Sequence, residues 1–315
     1  MYWLKLIRWK NLLIIFATQW LIWACVILPV IKKNNLQALQ LLNAVNFSLL
    51  SFSTILIAAA GYIINDYFDI RIDFINKPEK MVLEKNLPRR KAIILHTMFT
   101  LLGILLAAYI AAQRDAYEWI TVQLFCSLLL WFYSTKFKQR FVIGNIIVAL
   151  LTMLTIATLV VYEPALHLFF KKDIFIIEGG WQSINPLWFL GFYAFFAFIL
   201  TWMREIVKDM EDLEGDMREG CRTLPIKCGL LKATRITQYL GIIAWIPLLT
   251  AACMLVFKQH YLLGFYTLFA LVIPLLIWII NLQKKATKEH YAKHSSSIKI
   301  IMVLGLGSLI INLWV

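Results

Sequence analysis

Charge is scarce in this sequence, and negative charge scarcer still. Asp, Glu, Lys and Arg make up 16% of 315 residues and hydrophobic residues 61%, against about 25% and about 45 to 50% in an ordinary soluble domain. That balance excludes a water-soluble globular domain and points to a polytopic membrane protein. Cysteine is sparse: Cys25, Cys126, Cys221, Cys228 and Cys253 offer neither a CxxC pair nor a regular framework, which excludes a zinc ribbon or a disulfide scaffold. The five histidines stand outside any recognisable ligand spacing, and none is assigned a role. No small-residue cleavage site follows the first apolar run, which is long enough to span, so no cleavable signal peptide is expected.

Runs long enough to cross about 30 Å of hydrocarbon occur at 12–31, 41–64, 92–112, 117–133, 141–162, 186–203, 236–257, 261–282 and 298–314. The expected fold class is therefore all-α: a polytopic membrane bundle of about nine transmembrane helices around a central cavity. Residues 1–315 are read as a single domain. With the N-terminus cytoplasmic, 25 of the 31 basic residues fall on one side and six on the other, a strong positive-inside bias. A plasma-membrane protein is expected, with the N-terminus and the acidic motifs cytoplasmic and the C-terminus outside. The formal net charge of +13 is spread over short loops between spans, so no nucleic-acid partner is expected.

The few carboxylates are concentrated. Loops 65–91 and 204–235 hold 12 of the 18 acidic residues, close to hydrocarbon where carboxylates are costly. In the first, Asn65-Asp66-Tyr67-Phe68-Asp69-Ile70-Arg71-Ile72-Asp73 follows a long apolar run. If that segment is helical, Asn65, Asp69 and Asp73 recur every four residues, with Asp66 between them, on roughly one side. In the second, Asp209, Asp212 and Asp216 repeat the device at spacings of three and four. Two such clusters suit Mg²⁺ gripping a diphosphate, because Mg²⁺ takes a few carboxylates plus substrate phosphate oxygens. Basic residues on the same side include Lys77 and the Tyr133-Ser134-Thr135-Lys136-Phe137-Lys138 element.

These windows resemble the UbiA superfamily of intramembrane prenyltransferases. Asn65-Asp66-x-x-Asp69-x-x-x-Asp73 followed by Asn76-Lys77-Pro78 is similar to its first Asp-rich motif. Asp209-x-x-Asp212-x-x-x-Asp216, then Gly220, Thr223, Leu224 and Pro225, is similar to its second. Tyr133-Ser134-x-Lys136-x-Lys138 with Gly144-Asn145 looks like its fourth-helix Tyr/Lys element. The resemblance implies Asn65, Asp69, Asp212 and Asp216 as Mg²⁺ ligands, two ions bridging the diphosphate, and Asp66, Asp73, Asp209 and Tyr133 as supporting catalytic residues. It also implies diphosphate-binding roles for Lys77, Lys138 and Arg222, with Arg71 and Lys136 as secondary choices. Lys80 departs from the family, where many relatives have Arg after the Asn-Lys-Pro.

The implied reaction moves a polyprenyl group from an allylic polyprenyl diphosphate to a lipid or aromatic acceptor. The segment from Arg204 to Asp216 looks most like family members that prenylate a glycerol-phosphate ether lipid, so the resemblance implies that acceptor. Competing expectations are an aromatic quinone precursor, cyclisation of the polyprenyl chain without an acceptor, or, in a different class, a transporter or non-catalytic lipid-binding protein. A transporter would carry repeats with helices broken near the midplane, whereas here both acidic motifs sit at one membrane face.

Overall fold

The computed structural model describes residues 2–76, 79, 81–171, 185–282 and 287–312. Among them are nine helices long and apolar enough to cross a membrane: α1 (Trp9–Lys33), α2 (Ala44–Phe68), α3 (Arg89–Ala112), α4 (Tyr117–Phe137), α5 (Ile143–Val161), α6 (Pro186–Glu211), α7 (Leu224–Phe257), α8 (Tyr261–Asn281) and α9 (Lys288–Asn312). No strand occurs among the described residues.

Every expected span is present, but three helices run eight or more residues beyond their apolar windows. α6 continues to Glu211, α7 begins at Leu224 and α9 begins at Lys288. Hydropathy ends where charge begins, whereas backbone hydrogen bonding carries on; the overhangs raise a polar platform at one end of the bundle. α7 is interrupted there at Gly229, whose φ of 78° is open to glycine at little cost.

Local signals set the helix starts. The Asn43 side chain accepts from the backbone N–H groups of Val45 and Asn46 to cap α2, and Asn185 does the same for α6 through Leu187. α2 is the most enclosed span and α4 the least, so α2 is the inner post of the bundle. Small residues allow close packing of α2 against α3. Ser53 Oγ donates to the Gly103 carbonyl at 2.6 Å, and a Cβ on Gly103 would lie 2.8 Å from Ile57, so α2 and α3 approach nearly backbone to backbone.

Apolar packing divides by level. A cluster containing Ile22, Leu50, Ile110 and Leu159 fills the end away from the acidic motifs. A second, with Met203, Val207, Leu275 and Ile298, lies beneath the second motif. A third, smaller cluster joins Leu6, Ile63, Ile70, Val82 and Leu87, folding the N-terminal turn Tyr2–Leu6 and the loop before α3 against the first motif. Between α1 and α5–α9 lies an apolar cavity lined by residues such as Ile15, Phe192, Phe196, Leu200, Leu248 and Met302. Leu200 and Asp209 are nine positions apart on α6, about 13 Å of helix, so cavity and acidic platform share that helix as a common wall.

Candidate active site

Neither acidic motif is one continuous helix, which corrects the reading of four oxygen ligands along a single helical face. α2 stops at Phe68, Asp69 takes φ −88° and ψ 0°, and a separate short helix runs from Ile70 to Asn76. The second motif repeats this break. α6 stops at Glu211, Asp212 takes φ −95° and ψ 11°, and Leu213–Arg218 follows as another short helix. Hydrogen bonds still bridge each break, Asp69 N–H to Asn65 O at 3.0 Å and Asp212 N–H to Lys208 O at 2.9 Å. A helical spacing of four therefore survives in a bent chain.

Asn76 joins the motifs. Its Nδ2 donates to the Asp212 carbonyl at 3.1 Å, and its Oδ1 accepts from the Gly215 N–H at 2.9 Å. Lys288, at the start of α9, donates to the Asn76 carbonyl at 2.9 Å. Asn76 entered the sequence reading only as the first residue of the Asn-Lys-Pro window; its bridging role has no signature in composition or period.

Around this staple the expected residues divide. Asn65 and Asp69 are buried, with Asn65 Nδ2 donating to Asp69 Oδ2 at 2.6 Å, and Lys138 forms an ion pair with the same oxygen. Burial alone would lower the Lys138 ammonium, but the Asp69 charge overcomes it and holds the group above its ordinary value. Burial, reinforced by Asp69, pushes the Asp73 carboxyl up to about 6. Asp209 accepts from Asn145 Nδ2 at 2.8 Å. Asp216 is buried, its N–H bonded to the Asp212 carbonyl at 3.2 Å. Tyr133, on a π-helical turn spanning Tyr133–Phe137, lies within Coulombic reach of Lys138, Glu205, Asp69 and Asp209. Gly144 allows this packing: a Cβ there would sit 2.9 Å from the Phe137 carbonyl and 3.0 Å from Lys138 Cα.

Other candidates stand outside the cluster. Arg71 and Lys136 are exposed, so the fourth-helix element delivers Lys138 and not Lys136 to the carboxylates. The Arg222 side chain is exposed, although its backbone N–H anchors to the Gln139 carbonyl at 2.8 Å. Lys77 lies outside the described residues. Asp66, grouped with the ligand face in the sequence reading, instead accepts from Arg8 Nη2 at 2.7 Å. In the sequence Arg8 is only one of the 25 basic residues on the expected cytoplasmic side. Its proximity to Asp66 depends on the left-handed turn at Arg8 itself, φ 50° and ψ 52°, which the sequence does not announce.

Among the described residues, no three carboxylate, histidine or cysteine side chains converge closely enough to hold a metal unaided. Among the described residues, the platform instead presents separated oxygen donors, with Lys138 paired to Asp69 and Lys288 bonded to the Asn76 carbonyl.

The family model of the UbiA prenyltransferases matches residues 34–298. Digeranylgeranylglyceryl phosphate synthase of Methanosphaera stadtmanae is 30% identical over 269 residues, 82% of this chain and 84% of that protein. The protein of the same name from Methanothermobacter thermautotrophicus is 35% identical over 236 residues, 74% of this chain and 70% of that one. Among solved structures, a UbiA homolog from Archaeoglobus fulgidus bound to DMAPP and Mg²⁺ has the same fold, with a TM-score of 0.62 at 16% identity and 100% of each chain covered.

Proposed function

The chain belongs to the UbiA prenyltransferase family, and on that premise we propose that this membrane enzyme transfers a polyprenyl group from an allylic diphosphate to the free hydroxyl of a glycerol-phosphate ether lipid, releasing pyrophosphate. The observation that carries this reading is the Asn76 bridge, which draws both Asp-rich motifs into one platform above an apolar cavity. The choice of acceptor is supported by the two relatives named as digeranylgeranylglyceryl phosphate synthases.

Magnesium fits the donor set. Asn65 Oδ1 is buried without a hydrogen-bond partner, its neighbours are carboxylates, and the open spacing leaves positions for diphosphate oxygens, as Mg²⁺ prefers. Asn65 and Asp69 would hold one ion, and Asp212 and Asp216 a second, with Asp73 and Asp209 in support. Bound there, Mg²⁺ would neutralise charge developing on the departing diphosphate. Lys138 supplies a cation to the same oxygens, and Tyr133 places a phenol beside them. Lys77 and Arg222 remain diphosphate candidates, Arg222 exposed but anchored beside the fourth-helix element through its backbone N–H; Arg71 and Lys136, both exposed and without that anchor, stay secondary choices. Asp66 acts through Arg8.

The apolar cavity beside α6 suits the isoprenoid tail and keeps water from the allylic cation until the hydroxyl attacks. Residues 1–315 work as one domain, in a plasma membrane, with the platform cytoplasmic. The test is product mass spectrometry with purified protein, Mg²⁺, C10 to C20 diphosphates and a panel of lipid and phenolic acceptors. A prenylated glycerol-phosphate ether is the expected product; exclusive phenol prenylation would overturn the acceptor, and failure to release pyrophosphate would overturn the enzyme. Sidedness is read separately by labelling single cysteines introduced at Asn35 and at Arg140, which should react from opposite faces.

A further inference from the structure

A second polar cluster lies beside the platform, where the start of α1 meets α6 and α9. Lys299 is eleven positions into α9, about 16 Å of helix, and its Nζ donates to Asn11 Oδ1. No carboxylate among the described residues pairs with it. Its ammonium lies within Coulombic reach of Arg204, Lys208, Lys10 and Arg8. Arg204 Nη1 contacts Glu205 Oε1 at 2.6 Å, and Lys208 Nζ contacts Glu205 Oε2 at 3.1 Å. The Arg204 Nε is buried with no acceptor.

Among the described residues, Arg204 and Lys208 share Glu205 and Arg8 engages Asp66, and Asp209 and Asp69 lie within Coulombic reach of Lys208 and Arg8, whereas Lys299 has only the Asn11 carboxamide. Positive charge kept at membrane depth is costly and marks function more often than structure. A buried, unmatched guanidinium N–H beside a lysine held only by an amide is suited to an anion with several acceptor oxygens.

The acceptor reading given above supplies such an anion. A glycerol backbone has three oxygens, so a product bearing two prenyl groups and one phosphate leaves none unused. The attacking hydroxyl of the acceptor is thus at most two carbons from its phosphate. That phosphate must bind next to the reaction centre yet apart from the donor's diphosphate. Arg8 joins the two regions, since it contacts Asp66 of the first motif at 2.7 Å and lies within Coulombic reach of Lys299.

We propose that Lys299 and Arg204, with Lys208 and Lys10 at the rim, form the site for the phosphomonoester of the acceptor lipid. This rests on the acceptor assignment above. The free hydroxyl is then presented to the allylic carbon by a phosphate anchor, and selectivity for phosphorylated over non-phosphorylated glycerol ethers follows.

The test uses the full chain in lipid nanodiscs, with Lys299→Gln, Arg204→Gln and the conservative Lys299→Arg. Steady-state KM is measured separately for monogeranylgeranylglyceryl phosphate and for geranylgeranyl diphosphate, and equilibrium binding is measured for the phosphorylated acceptor and its dephosphorylated alcohol. Expected are a rise of at least tenfold in acceptor KM for both Gln variants, a diphosphate KM within twofold of the parent, and collapse of the phosphate-over-alcohol binding preference. Lys299→Arg should retain that preference. A rise in diphosphate KM with acceptor KM unchanged would assign the cluster to the donor, and no change in either would make it purely structural; each overturns the proposal. If the unmodified chain prenylates only a phenol and binds neither glycerol ether, that arm alone shows that the acceptor reading has failed. If it prenylates the glycerol ether with no preference for the phosphate, only the anchor has failed.

Discussion

Asn76 closes on Gly215 so tightly that the two residues are a matched pair: a Cβ on Gly215 would lie 2.5 Å from the Asn76 carboxamide, which accepts the Gly215 N–H at 2.9 Å. Because Asn76 also holds the Asp212 carbonyl, this contact fixes how far apart the acidic motifs stand.

Gly215→Ala should therefore displace Asn76, whose two hydrogen bonds leave it little freedom to yield. Overpacking of this kind costs about 1 to 3 kcal/mol, and turnover should fall at least tenfold. Thermal unfolding in detergent and Mg²⁺-dependent pyrophosphate release measure the two effects. Unchanged turnover would mean that motif spacing is set elsewhere.

The shared-diphosphate arrangement predicts non-additive losses. Asp69→Asn and Asp216→Asn should each remove most activity, and the double variant little more, because groups acting as one unit fail together. The readout is a double-mutant cycle on pyrophosphate release, and additive losses would indicate two independent acidic sites.

Arg8→Gln leaves the Asp66 carboxylate without its partner. The pair is partly exposed, with side-chain accessibilities of 36% and 20%, so the stability cost should be about 1 kcal/mol or less. Turnover should still fall about tenfold, since Arg8 also adjoins the first motif. Comparing unfolding midpoints with kcat separates the two effects, and a loss of stability without loss of turnover would confine Arg8 to packing.

Cys221 reports on the closure of the second motif. Burial, followed by the charge of Asp216, pushes its thiol up to about 11. The reactive thiolate is the minor form below that value, so labelling by a water-soluble maleimide should be slow at pH 7 and rise about tenfold per pH unit from 8 to 10. Peptide mass spectrometry resolves it from Cys228, and rapid labelling of Cys221 at pH 7 would show that the platform opens readily.

The sequence carried the spans and the acidic motifs because both depend on local composition: a long apolar run followed by Asn65, Asp69 and Asp73 is visible without coordinates. The breaks at Asp69 and Asp212 were hidden because bridging hydrogen bonds preserve the period of four that an unbroken helix would show. Arg8 and Asn76 were undervalued for another reason. Their partners, Asp66 and Gly215, are 58 and 139 positions away, and no local pattern encodes a contact across such distances. Lys138 and Lys136 differ by two positions, close to half a helical turn, and only the observed π-helical turn establishes which one meets Asp69.

The helix breaks also set a polarity. Both long helices that carry the motifs end at the platform, so α2 and α6 point their carbonyl ends, the negative poles of their dipoles, at the same place. A naked diphosphate approaching would meet carboxylates and two negative poles together. The geometry thus favours an ordered arrival in which the leaving group comes already escorted by divalent cations, and pyrophosphate departs with the same escort.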